Sequence, residues 1–213
     1  MFGVRWPQAQ AYADLLATEG ELRGLIGPRE LPRLWQRHLL NCAVITDLIA
    51  HGSRVADIGS GAGLPGLVVA IRRPDLDVTL IEPMARRTDF LGEAVDRLGL
   101  ENVRVLRGRA EEVPATEAEF DVVTSRAVAP LDRLSRWSLP LVRAGGSMLA
   151  MKGSSAEEEV AEHAKAMRRA GAVEVEVSRV GMDVVEVPVT VVRARKLDRP
   201  NSGGNGRAAD GRR

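Results

Sequence analysis

Aromatic residues are nearly missing from this chain, with three Trp, three Phe and one Tyr among 213 residues. The core must therefore be built from Val, Leu, Ile and Ala. Cysteine occurs once, at Cys42, so no disulfide can form within the chain, which fits a reducing compartment. No stretch approaches the roughly 18 consecutive apolar residues of a membrane-spanning helix. The N-terminus shows no basic start followed by an apolar run, so a signal peptide is not expected either. An excess of one charge is also lacking: 30 Lys and Arg face 29 Asp and Glu, a net charge of +1, so no overall basic field marks a polyanion ligand. The balance is uneven, because residues 193–213 hold seven basic against two acidic side chains, leaving 23 against 27 for the first 192. These features predict a soluble cytoplasmic protein, with a mildly acidic body and a basic tail, that we expect to be a monomer.

What is present is a glycine cluster at residues 54–66, RVADIGSGAGLPG. A short apolar strand reaches Asp57, glycines follow at 59, 61, 63 and 66, and a helix is predicted to start near Pro65. Glycines let a backbone turn sharply and approach a ligand closely, and free helix N–H groups beyond them are expected to point into the turn. This is the physics of a nucleotide-type site.

Around it, strands and helices alternate. A helix is predicted over 8–19. A long amphipathic one follows over 30–50, with Leu31, Leu34, Trp35, Leu39, Cys42, Ile45 and Ile49 at helical spacing. His38 lies on or beside that stripe and reads as a hydrogen-bonded core histidine. Strands are expected at 54–58, 77–81, 102–106, 120–124 and 147–151, with the Gly145–Gly146 pair turning into the last. Helices are expected at 67–72, 85–98 with Gly99 as its stop, 131–141 and 156–170. Val173, Val175 and Val177, then Val185, Val187, Val189 and Val191, alternate with polar residues or Pro188 and predict a closing antiparallel hairpin. Near-continuous apolar strands argue for a parallel sheet covered on both faces, whose ligand site lies at the strands' carboxyl ends beside the first strand. Three regions are expected: a helical extension over 1–52, an α/β domain over 53–197 and a disordered basic tail over 198–213.

The glycine turn satisfies two patterns. GAGLPG, residues 61–66, is a literal dinucleotide fingerprint, but its first glycine falls three residues after the strand. DIGSGAG, residues 57–63, is D-x-G-x-G-x-G, the first motif of S-adenosylmethionine-dependent methyltransferases, with Gly59 directly after the strand. In that register Asp57 can meet the cationic amino-acid end of the cofactor, whereas a pyrophosphate would be repelled. Glu82, ending the second strand, can take a ribose hydroxyl pair in either cofactor class. The terminal hairpin adds to the class I methyltransferase reading. An NAD(P)-dependent oxidoreductase and a nucleotide- or RNA-binding protein without turnover are the alternatives.

The end of the fourth strand reads Thr124-Ser125-Arg126-Ala127 and lacks the Asn/Asp-Pro-Pro-aromatic stretch common in enzymes that methylate exocyclic amines. Methylation at pyrimidine C5 needs a cysteine nucleophile, and Cys42 reads as core. An acceptor that already carries a free lone pair, such as purine N7, remains permitted. It needs alignment and no acid–base residue or metal.

The segments DIGSGAGLPGLVVAIRRPDL, LIEPMARRTDFL, LENVRVLRGRAEE, FDVVTSRAVAPLDRL and LAMKG, in this order and spacing, resemble the RsmG (GidB) family of 16S ribosomal RNA guanine-N7 methyltransferases. The resemblance runs from about Trp35 to Gly153. It implies a class I Rossmann-like α/β sheet, S-adenosyl-L-methionine as cofactor and small-subunit ribosomal RNA as partner. Cofactor contacts are implied at Gly59, Leu64, Ala110, Glu111 and Arg126, beside Asp57 and Gly61 from the glycine motif and Glu82 from the end of the second strand. Arg126 stays protonated and is no general base; it could take the cofactor's carboxylate or an RNA phosphate. Lys152, Arg86 and Arg87 are the other candidates for phosphate contact.

Overall fold

The computed structural model describes residues 1–114 and 116–198. The expected tail thus lies outside the described residues apart from Asp198. Seven strands form one sheet: β1 (Arg54–Ile58), β2 (Asp77–Glu82), β3 (Val103–Arg107), β4 (Phe120–Arg126), β5 (Val142–Lys152), β6 (Ala172–Val180) and β7 (Val189–Lys196). Their order is β3-β2-β1-β4-β5-β7-β6, with the first five parallel and β7 antiparallel between β5 and β6. The order reverses between β1 and β4, so the switch point falls where the glycine turn leaves β1.

Alternation along each strand divides the apolar side chains between two layers. Val55, Val78, Leu80, Val122 and Leu149 face one side, while Ala56, Ile58, Ile81, Val123 and Ala150 face the other. The first side is covered by α3 (Gly66–Arg72), α4 (Ala85–Leu98) and the N-terminal helices; the second by α5 (Leu131–Ser138) and α6 (Ala156–Arg169). Every residue of α3 from Gly66 to Ile71 is buried, as a helix apolar all round must be. The edge strand β6 carries Glu174, Glu176 and Arg179 toward solvent, which discourages pairing with another chain.

The N-terminal region starts with α1 (Trp6–Leu15), which a wider π turn extends to Gly20. The single helix expected over 30–50 is instead a helical path whose hydrogen-bond period changes repeatedly. It runs from a 3-10 segment with Pro32 inside it (Pro28–Arg33) to π turns (Leu34–Leu40), α2 (Asn41–Val44) and a 3-10 turn (Ile45–Leu48). The apolar stripe survives, since Leu34, Leu39, Cys42, Ile45 and Ile49 are all buried. Proline supplies no N–H, so a regular ladder cannot run through its start.

Two other expectations are corrected. Gly145 and Gly146 lie inside β5 and do not precede it: Phe120 pairs with Val142 but Val122 pairs with Ser147, and the glycines absorb that bulge. Val185 and Val187 belong to the connection between β6 and β7, because Val180 already pairs with Val189 and leaves them no partner strand.

Candidate functional site: two clefts that meet at the end of β4

The glycine turn is closed by its own hydrogen bonds. Gly59 and Ser60 donate their amides to Ile81 O, Gly63 and Leu64 to Ser60 O, and Leu67 to Gly63 O. Gly61 donates to Glu82 Oε2 at 3.0 Å, and Gly66 donates to Asp57 Oδ2 at 2.9 Å. At the start of α3 the Gly66 and Leu67 amides are therefore engaged within the turn and do not point at a ligand. Amides so engaged are not offered to a pyrophosphate, which counts against the dinucleotide alternative.

Backbone conformation and space explain the glycines. Gly59 has φ +66°, and a Cβ there would lie 3.0 Å from Val128 Cγ2, so the turn and the loop after β4 are in contact. At Gly66 the limit is space, because a Cβ would stand 2.7 Å from Asp57 Oδ2. Asp57 is fully buried beneath the turn with Oδ1 unpartnered; burial raises its carboxyl to about 7 against the pull of the Gly66 amide.

A cavity of about 430 Å³ opens above this floor. Gly59, Glu82, Ala110 and Glu111 line it, with Pro83, Met84, Arg87, Arg109, Ala127, Val128 and Trp137. Glu82 is 1% exposed and accepts from two backbone amides, Gly61 at Oε2 and Met84 at Oε1, both at 3.0 Å. A carboxylate has about four lone-pair sites, so it retains capacity for a diol. Ala110 and Glu111 arrive on a 3-10 turn directly after β3.

A second cleft, of about 590 Å³, opens on the other side of Ala127, which lines both. Its charged lining is cationic: Arg37, Arg126, Lys152 and Arg179. Lys152 Nζ donates to Ala129 O at 2.9 Å and Glu159 Oε1 at 2.8 Å, which pins the loop after β4 against β5. Ala127 takes φ +55°, a left-handed conformation unusual for a residue with a Cβ, at the junction of the two clefts.

Arg126 is anchored from behind. Its Nη1 lies 3.5 Å from Cys42 Sγ and its Nη2 lies 2.7 Å from His38 Nδ1. His38 Nε2 lies 2.8 Å from Glu30 Oε2. His38 is 8% exposed and Cys42 is fully buried, with burial raising the thiol to about 11.

Among the residues expected from sequence, Gly59, Glu82, Ala110, Glu111 and Arg87 share the first cleft, and Arg126 and Lys152 share the second. Arg87 lies 3.6 Å from Glu82 and so stands with the first group, apart from the other cations. Asp57 lies under the turn, Gly61 serves it through Glu82, Leu64 packs against the N-terminal apolar cluster, and Arg86 is exposed outside both clefts. Met84, Val128, Trp137, Arg37 and Arg179 were not anticipated. Val128 could have been found from its place just past a strand end; Trp137 and Arg179 arrive through tertiary packing alone. Among the described residues, no group of three or more His, Cys, Asp or Glu is placed to hold a metal ion, and no helix is long and apolar enough to cross a membrane.

The fold has solved counterparts. A SAM-dependent methyltransferase from Aquifex aeolicus superposes with a TM-score of 0.56 at 20% identity, over 81% of this chain and 100% of that one. A SAM-dependent O-methyltransferase from Thermotoga maritima gives 0.57 at 17% identity, over 80% and 71%. Sequence likeness is much stronger. Ribosomal RNA small subunit methyltransferase G of Salinispora arenicola is 59% identical over 92% of this chain and 84% of its own. The same-named protein of Mycobacterium sp. strain JLS is 54% identical over 100% of this chain and 93% of its own. The sequence pattern of the GidB family, described as rRNA small subunit methyltransferase G, matches residues 5–185. With a match of that extent, close relatives along the full chain and a methyltransferase sheet, the chain belongs to the GidB family of small-subunit ribosomal RNA methyltransferases.

Proposed function

We propose that this protein transfers a methyl group from S-adenosyl-L-methionine to N7 of a guanine in 16S ribosomal RNA. The observation that carries the reading is the meeting of the two clefts at Ala127, one holding the buried Glu82 and the other ringed by Arg and Lys. Gly59, Glu82, Ala110 and Glu111 would hold the nucleoside end of the donor in the first cleft, over a turn whose engaged amides suit a ligand without a pyrophosphate. When bound, the donor supplies an electrophilic methyl on a sulfonium. Arg37, Lys152 and Arg179 would steer RNA phosphates in the second cleft, with Arg87 nearer the donor. Arg126, at the junction, faces either a phosphate or the donor's carboxylate.

Guanine N7 carries a free lone pair, so transfer needs no proton removed and no covalent enzyme intermediate; alignment across the junction is the chain's contribution. His38 fits this reading, since both of its ring nitrogens are engaged, by Glu30 and Arg126, and neither can serve as a base. In the same reading residues 53–197 form the donor-binding unit and 1–52 an extension packed on it. The enzyme then acts as a monomer in the cytoplasm, which sedimentation and cell fractionation check.

The test is transfer of labelled methyl to small subunits from cells lacking this protein, followed by identification of the modified base. N7-methylguanine is expected, and Arg126→Ala is expected to lower kcat/KM at least about tenfold, the weight of a lost hydrogen bond to a charged group. Label on any other atom, or stabilisation by NAD(P)H in place of the methyl donor, would overturn the reading.

A further inference from the structure

The arrangement behind Arg126 determines where a proton sits. A guanidinium has only N–H donors, so the His38 nitrogen 2.7 Å from Arg126 Nη2 must present its lone pair. Nδ1 is therefore bare and the proton is on Nε2, which faces the Glu30 carboxylate at 2.8 Å. The two contacts require the same tautomer. Arg126 has five N–H bonds, and the two directed at His38 and Cys42 fix its plane while the rest remain for the cleft.

We propose that His38 is a positioning residue for Arg126, held by Glu30 as the Nε2–H tautomer so that its Nδ1 lone pair fixes the guanidinium at the junction of the two clefts. This rests on the reading that Arg126 meets an anion there. The charged and titratable groups around the pair are Glu30 and Arg37 from the N-terminal path, and Arg126 itself. Cys42 and Tyr12 also interact with the guanidinium, and Asp57 interacts with those two. Burial lowers the His38 pKa, the Arg126 charge lowers it further, and Glu30 pulls the other way. Protonation would turn the acceptor into a donor and set cation against cation, so acid releases Arg126.

The experiment uses the full chain, purified small subunits and labelled methyl donor from about pH 8 down into the acid range below the ordinary histidine value, because the His38 pKa is lowered. Heteronuclear NMR of the His38 ring at neutral pH is expected to show Nδ1 unprotonated. Glu30→Gln keeps an acceptor but removes the charge that favours imidazolium, so the acid fall in kcat/KM moves to lower pH. His38→Gln, an uncharged side chain with both acceptor and donor, keeps neutral-pH activity within about threefold and loses that fall, whereas His38→Leu loses about tenfold or more. Asp57 titrates alike in all of these proteins, so their differences isolate His38. An Nδ1–H tautomer, or a pH profile unmoved by both Gln substitutions, overturns the proposal. Arg126→Ala with undiminished activity and donor affinity would instead overturn the reading of Arg126, whatever His38 does.

Discussion

The Gly66 amide donates to Asp57 Oδ2 across 2.9 Å, so the first residue of α3 is bonded to a carboxyl that burial has made hard to ionise. In the unfolded chain that carboxyl releases its proton near the ordinary 3.8, and in the folded protein near about 7. Between these values the native state holds a proton that the unfolded state has lost. Its contribution to stability is complete below the lower value and disappears as pH rises through the upper one. We predict that urea midpoints of the wild type, relative to Asp57→Asn, fall from about pH 4 to about pH 7 and then level off. Carboxylates held low by arginines, such as Glu93 and Glu174, act in both proteins and cancel in the difference. A flat difference curve would mean that Asp57 is ionised throughout.

Two glycines should respond oppositely to alanine. At Gly66 an added Cβ presses on Leu80 and on Asp57, so Gly66→Ala is expected to cost about 1–3 kcal/mol. At Gly92, inside α4, a Cβ meets nothing within 4 Å, and Gly92→Ala is expected to stabilise by about 0.5–1 kcal/mol. Thermal melts moving in the same direction for both variants would refute the packing account.

Much of the fold was readable because the relevant signals are local. Gly99 ends α4 at φ +60°, as its place after an apolar face suggested, and the five parallel strands announce themselves as β-branched runs. The misreadings share a cause. Val185 and Val187 alternate as strand residues do, but alternation does not say whether a partner strand is present. The Gly145–Gly146 pair reads as a turn until β4 is seen to pair across it. At the site, Gly59 and Glu82 were legible because they terminate strands. The contact of His38 with Arg126 spans 88 positions and is set by the π turns, which no periodicity in the sequence encodes.

Glu82 holds two backbone amides with two oxygens, and glutamine has only one oxygen to offer. Glu82→Gln should leave the Gly61 or the Met84 amide facing an NH2 group, a loss of about 1–3 kcal/mol in a buried setting. Titration calorimetry with S-adenosylmethionine is expected to show at least about tenfold weaker binding. Unaltered affinity would place the ribose elsewhere.

Tyr12, on α1, donates its hydroxyl to Ala62 O at 2.8 Å and so connects the N-terminal helices to the glycine turn. Tyr12→Phe leaves that carbonyl unpaired in a buried site. We expect a loss of about 1–3 kcal/mol in urea denaturation, with a weaker hold on the methyl donor than in the wild type. Equal donor affinity in the two proteins would show that the helices support the turn without tuning it.

The place of β7 has a consequence for how the protein comes into being. This strand is the last described in the chain, yet it lies between β5 and β6 and is the partner through which β6 joins the sheet. During translation β5 and β6 therefore emerge with no neighbour between them, each presenting an open edge able to pair with another nascent chain. A chain interrupted just before Val189 would lack the strand that joins β6 to β5 and would leave both edges open. Synthesis through β7 is thus a condition for the completed sheet.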